Sequence, residues 1–189
     1  MPRDDVDRAF ERVPRAPFLP AADRHLADED HPVPIGHEQT NSQPSTVAAM
    51  VRLLDVRPGQ RVLDVGSGSG WTTALLGELV GPGGRVLGVE RVPELVVAAR
   101  EALARLDLPW VQVRTAEAGV LGAPGEAPFD RVLVSAMAED LPTELVDQLA
   151  DGGTMVIPVA GEMVRVVRGA DGVCSTTHGR YQFVPLLPP

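Results

Sequence analysis

A chain of 189 residues, 44% hydrophobic and 23% charged, is long enough for one globular domain with a sizeable core and is not composed like a disordered or fibrous protein. Its net charge of −9, with no long Lys/Arg run, weighs against a nucleic-acid partner, whose phosphates demand a basic face. The one cysteine, Cys174, allows no intrachain disulfide, no apolar run approaches membrane-spanning length, and Met1-Pro2-Arg3-Asp4-Asp5 does not read as a signal peptide, so a reducing cytoplasm without membrane contact is expected.

In chain order, residues 4–13 put Val6, Phe10 and Val13 on one face and read as a short amphipathic helix, ended by Pro14 and Pro17. Pro14, Pro17, Pro20, Pro32 and Pro34 make residues 14–36 an irregular arm, neither helix nor central strand. A loop of that length inside a compact domain is usually disordered or functional. It leads into Ile35-Gly36-His37-Glu38-Gln39-Thr40-Asn41-Ser42-Gln43-Pro44, dense in polar side chains. Val47, Met50, Val51 and Leu54 then space a helix over 45–54, with Ser45 or Ser42 as its cap.

From residue 61 the pattern alternates. Strands are predicted at 61–65, 85–90, 110–114, 131–135 and 154–158, and helices at 70–80, 93–106 and 142–149. Residues 163–168, the turn Gly169-Ala170-Asp171-Gly172 and a strand ending Phe183-Val184-Pro185-Leu186 read as an antiparallel hairpin. The fold expected is α/β: a doubly wound, mostly parallel sheet, helices on both faces, with an antiparallel end. No linker divides the chain, so one domain over 1–189 is expected, an arm over 1–44 preceding a Rossmann-like core over 45–189.

The chemistry centres on Arg61-Val62-Leu63-Asp64-Val65-Gly66-Ser67-Gly68-Ser69-Gly70, a strand, a glycine turn and the start of a helix. Alternating glycines let backbone approach a ligand, and the bare N–H groups of the helix start point the same way. The dinucleotide fingerprint G-x-G-x-x-G does not fit, because its last glycine would fall on Trp71 or Thr73. Acid-x-G-x-G-x-G instead resembles motif I of S-adenosylmethionine-dependent methyltransferases. That likeness calls for a second acid ending the next strand, to bind ribose hydroxyls, and Glu90 supplies it. Ligand is expected beyond the carboxyl ends of these two strands, at the switch point of the sheet.

Further segments narrow the likeness. Val13-Pro14-Arg15 with Phe18-Leu19-Pro20, Pro32-Val33-Pro34-Ile35-Gly36, Gln39-Thr40-Asn41-Ser42-Gln43-Pro44, Val89-Glu90-Arg91-Val92-Pro93-Glu94-Leu95, Ala127-Pro128-Phe129-Asp130 and Phe183-Val184-Pro185-Leu186 together resemble the protein-L-isoaspartate O-methyltransferases over most of the chain. The resemblance implies methylation of the free carboxylate of isoaspartyl residues in damaged proteins, the ester then closing to a succinimide that hydrolyses partly to aspartate. It implies S-adenosylmethionine as cofactor, S-adenosylhomocysteine as product, no metal, and a monomer acting on protein or peptide. Catalytic roles then fall to Ser42 and Thr40, and acceptor contacts to Ser42, Gln43, Pro44 and His37. Cofactor contacts fall to Thr40, Asn41, Asp64, Gly66, Ser67, Gly68, Ser69, Gly70, Glu90, Arg91, Glu117 and Ala118.

Elementary chemistry is consistent with a site lacking an obvious base. A carboxylate with pKa near 4 is already ionised at neutral pH. What remains is to hold it in line with the methyl donor, and orientation alone can supply roughly 7–11 kcal/mol. Four departures from the family pattern stand out. Glu38 replaces a glycine, Asn41 an isoleucine and Gln182 an arginine, and Glu117-Ala118-Gly119 stands where Gly-Asp-Gly is usual. A carboxylate at position 38 disfavours an anionic acceptor unless it points away. These departures keep open a different carboxylate as acceptor, or a cofactor-binding protein without turnover.

Other signals are weaker. His25, His31 and His37 recur every six residues, but without a cysteine cluster or a Glu/His helix pair they read as chance spacing rather than a metal site. Asp28-Glu29-Asp30 reads as solvated surface, Trp71 and Trp110 as core or cofactor surroundings, and Cys174 lacks a partner base. Ser135-Ala136-Met137-Ala138 stands where base and glutamine methyltransferases carry Asn/Asp-Pro-Pro-Tyr or Pro-Cys.

Overall fold

In a computed structural model, which describes residues 4–187, Asp5–Arg12 forms helix α1, capped by Asp4, whose carboxylate accepts from the Asp7 N–H at 2.8 Å. The arm that follows makes 3-10 turns at Ala16–Phe18 and Ala21–Leu26. It then forms β1 (Val33–Gly36) and β2 (Gln39–Asn41), an antiparallel pair separate from the main sheet. The sequence predicts only irregular chain here, since strands this short, one of them containing Pro34, carry no readable period.

Helix α2 spans Pro44–Leu54. Its cap is neither Ser42 nor Ser45: Gln43 holds the N-cap position without a side-chain bond. The Ser45 N–H donates instead to Asp30 Oδ1 at 2.8 Å, so a carboxylate from the arm satisfies the helix start. A bond from the Gln43 amide, and then this one from Ser45, hold the Asp30 carboxyl below its ordinary value.

The main sheet contains β3 (Arg61–Val65), β4 (Arg85–Glu90), β5 (Val111–Thr115), β6 (Phe129–Val134), β7 (Leu149–Val159), β8 (Glu162–Gly169) and β9 (Gly172–Arg180). Their spatial order is β5-β4-β3-β6-β7-β8-β9, parallel through β7 and antiparallel beyond. Helices α3 (Trp71–Val80), α4 (Pro93–Leu103) and α5 (Thr143–Val146) join the parallel strands. From β3 the chain moves outward to β4 and β5, then crosses back to β6 on the other side of β3. That reversal creates the switch point. Alternate residues feed two apolar layers, Val62, Val86, Leu133 and Val156 in one and Leu63, Leu87, Val132 and Met155 in the other, so both faces are covered. Ala9, Val13 and Phe18 join the first layer and tie the arm to the sheet.

Three boundaries depart from the pattern. The helix expected over 142–149 is only four residues long, because Gln148 is drawn into other bonds: its carbonyl accepts from Phe129 N–H at 2.8 Å and its side chain binds Ala123 and Leu121. α4 ends at Leu103 rather than 106, the chain tightening into a turn. The tail residues 183–186 do not extend the hairpin. Pro185 has no N–H to give a ladder, and the flanking Val184 carbonyl and Leu186 N–H pair with Met137 instead, each at 2.7 Å.

Candidate active site

The loop after β3 depends on glycine for its shape. Gly66, Gly68 and Gly70 have φ of 75°, 53° and 87°, the left-handed region that side chains disfavour. A Cβ on Gly70 would also meet Ala99 Cβ of α4 at 3.0 Å. The turn opens onto a cavity of about 780 Å³, a size suited to a small-molecule ligand. Its walls come from the carboxyl ends of four parallel strands: Val65–Ser69 after β3, Val89–Val92 after β4, Thr115–Gly122 after β5, and Ser135–Ala136 after β6.

Glu90 ends β4 on this wall, buried, with Oε2 accepting from the Gly68 N–H at 2.9 Å and Oε1 from the Arg91 and Val92 N–H groups at 2.6 and 3.0 Å. A carboxylate offers about four lone pairs. Three bonds therefore fix it in place and leave capacity for a ligand hydroxyl. Ser67 also lines the cavity, and its buried Oγ has no partner among the described residues.

The opposite side is the arm. Thr40, Asn41 and Ser42 face the same cavity as the glycine loop, and the turn residues His37 and Glu38 sit on its exposed rim with φ of 53° and 60°. Two positive values in a two-residue hairpin turn suit the strand twist, although neither residue is glycine. Ser42 is half-buried, its carbonyl accepting from Arg15 Nη2 at 3.0 Å. Glu117, Ala118 and Gly119 form the far wall, and Arg91 lies beside Glu90.

Four expected contacts lie elsewhere. Asp64 is wholly buried under α3, where it accepts from the Thr73 hydroxyl at 2.6 Å, and it does not line the cavity. Strand alternation points it into the sheet–helix layer rather than out of the strand end. Its Oδ1 has no partner among the described residues, and burial, followed by the nearby Glu90 carboxylate, pushes its carboxyl up to about 7 against the pull of Thr73. Gly70 faces α4 as the N-cap of α3. Gln43 turns away to donate to Asp30 Oδ2 at 3.0 Å, and Pro44 opens α2; neither is on the wall.

The three histidines do not converge. His25 bonds the Ala22 carbonyl, His31 bonds Pro32 and Glu29, and only His37 reaches the rim. Among the described residues no group of three or more His, Cys, Asp or Glu could hold a metal ion. The tail Val184–Leu187 also lines the cavity, a placement decided by its pairing with Met137. Trp71 lies at the wall too, donating to the Val13 carbonyl at 3.1 Å with Arg15 over its ring at 5.4 Å. Trp110 packs against α3, donating to the Gly77 carbonyl at 2.8 Å.

The sequence profile of the Protein-L-isoaspartate(D-aspartate) O-methyltransferase family matches residues 1–188. The protein-L-isoaspartate O-methyltransferase of Aeropyrum pernix is 52% identical over 190 residues, covering 96% of this chain and 72% of its own. That of Methanothrix thermoacetophila is 50% identical over 185 residues, covering 96% and 87%. Among solved structures, a Plasmodium falciparum protein assigned as a protein-L-isoaspartate O-methyltransferase, in complex with S-adenosyl-L-homocysteine, superposes with a TM-score of 0.86 at 28% identity, covering 100% of this chain and 93% of its own.

Proposed function

The chain belongs to the protein-L-isoaspartate(D-aspartate) O-methyltransferase family, and on that basis we propose that it methylates the free carboxylate of L-isoaspartyl residues in damaged proteins or peptides, using S-adenosylmethionine. The observation that carries this reading is the shared cavity: the glycine loop and Glu90 form one wall, and the arm with Thr40 and Ser42 the other. A donor held by the first wall would face an acceptor held by the second. The cavity volume, the spare acceptor capacity of Glu90 and the unpartnered Ser67 Oγ fit the cofactor.

When bound, the cofactor supplies an activated methyl on a sulfonium. The chain's task is therefore to place and desolvate, not to generate a nucleophile, since the acceptor carboxylate is ionised already. Glu90 would accept from ribose hydroxyls, Ser67 and the glycine-loop backbone would hold the amino-acid end, and Glu117 with Ala118 would adjoin the base. The Ser42 hydroxyl donates to the acceptor carboxylate and fixes which oxygen faces the donor, with Thr40 and His37 beside it. A monomer acting on protein in a reducing cytoplasm belongs to the same proposal, supported by the −9 charge and the single cysteine.

The test is methanol release from an isoaspartyl peptide against the matched aspartyl peptide. Turnover of the isoaspartyl form alone, falling about 10–100-fold in Ser42→Ala, is the expected result for loss of an orienting hydrogen bond. Absence of turnover in the unsubstituted protein, despite calorimetric binding of S-adenosylhomocysteine, overturns the acceptor assignment.

A further inference from the structure

Asn41 stands where the family pattern has an isoleucine, and its side chain is buried between two polar groups. Its Oδ1 accepts from Arg15 Nε at 2.7 Å, and its Nδ2 donates to Ser69 Oγ at 3.0 Å. The orientation of the amide follows from chemistry, because a guanidinium has only donors and so takes the amide oxygen. The NH₂ group is left facing the glycine loop. Arg15 is itself buried, and its other four bonds all go to backbone carbonyls of the arm, those of Glu29, His31, Asn41 and Ser42. One guanidinium thus gathers the arm around position 42, and one amide ties that assembly to the loop on the other side of the cavity.

We propose that Asn41 is a positioning residue: it latches the arm carrying Ser42 onto the glycine loop through Ser69, with Arg15 as the buried anchor. Occupation of the glycine loop and ordering of the arm are thereby linked, because the Ser69 hydroxyl belongs to one wall and the Asn41 amide to the other. What the latch positions rests on the methyl-transfer reading above. That a latch exists does not.

The experiment compares the unsubstituted protein with Asn41→Leu, Ser69→Ala, their combination and Ser69→Thr, all in the full chain. Rates on the isoaspartyl peptide are normalised to the calorimetric stoichiometry of S-adenosylhomocysteine, so that misfolded protein does not count. Each single change is expected to lower kcat about tenfold with peptide KM within about twofold, as small misplacements do. The combination is expected to lose no more than the worse single change, since both break one bond, and Ser69→Thr to recover to within about threefold. Losses that multiply to about 100-fold, or an unaltered kcat in Ser69→Ala, overturn the proposal.

A second readout needs no acceptor. Saturating S-adenosylhomocysteine is expected to slow amide hydrogen exchange over residues 39–43 in the unsubstituted protein, and to lose that effect in Ser69→Ala. Equal protection in both overturns the latch. Ser69→Ala removes only the bond to the loop and leaves Arg15 with its partner, so it remains informative if Asn41→Leu fails to fold. A protein without isoaspartyl turnover would refute the acceptor assignment alone, while hydrogen exchange still decides the latch.

Discussion

Burial holds the Asp64 carboxyl up at about 7, with Glu90 adding to the effect and the Thr73 hydroxyl opposing it. An unfolded aspartate titrates near 4. Between about pH 4 and pH 7 the folded chain therefore keeps a proton that the unfolded chain has released, and stability falls as pH rises through that window. Asp64→Asn keeps an oxygen for Thr73 and titrates nothing. Its thermal midpoint minus that of the unsubstituted protein is expected to climb from pH 4 to 7 and then level off, and parallel curves across that range would exclude the carboxyl as the cause. Glu38 acts through its charge on the rim. Glu38→Gln is expected to raise kcat/KM for the anionic acceptor about two- to threefold at low salt, with the gain fading near 1 M salt, where exposed charges are screened. A gain independent of salt would mean the side chain obstructs rather than repels.

Within α3, Gly77 sets two effects against each other. Alanine in a helix interior is worth about 1 kcal/mol over glycine. A Cβ at this position would run into Val111 Cγ2, and overpacking of that kind costs about 1–3 kcal/mol. Val111 is β-branched and sits in a strand, so it has little rotamer freedom to retreat. Packing therefore wins: Gly77→Ala should lower the denaturant midpoint, and should raise it on a Val111→Ala background. The same sign on both backgrounds would show that the contact is not what fixes the glycine. Helix α2 carries a related lesson, since its start is satisfied by Asp30 across the arm and not by the serines nearest in sequence.

For the molecule as a whole, a ligand that binds only the folded chain stabilises it by about 2.7 kcal/mol at 100 times its Kd. In a domain of this size each kcal/mol moves the midpoint by about 2–4 °C. Saturating S-adenosylhomocysteine is therefore expected to raise it by about 5–10 °C, and a midpoint left in place would count against the cavity as its site. How the sequence relates to this assembly differs from part to part. The strand at 61–65, its three glycines, Glu90 twenty residues after Gly70 and the α/β alternation were legible because period, left-handed turns and strand-end acids are local signals. The resemblance, not any local pattern, put Thr40, Asn41 and Ser42 among the expected contacts, and these three line the cavity while Gln43 and Pro44 do not. Tertiary structure decided the rest. It turned Asp64 into the core and Gln43 toward Asp30, brought Val184–Leu187 to the cavity through Met137, and shortened the helix before β7. It also gave Asn41 its two partners, Arg15 and Ser69, from positions 26 and 28 residues away. Such contacts follow from which buried donors and acceptors must be satisfied once the sheet has formed, and no local pattern in the chain encodes them.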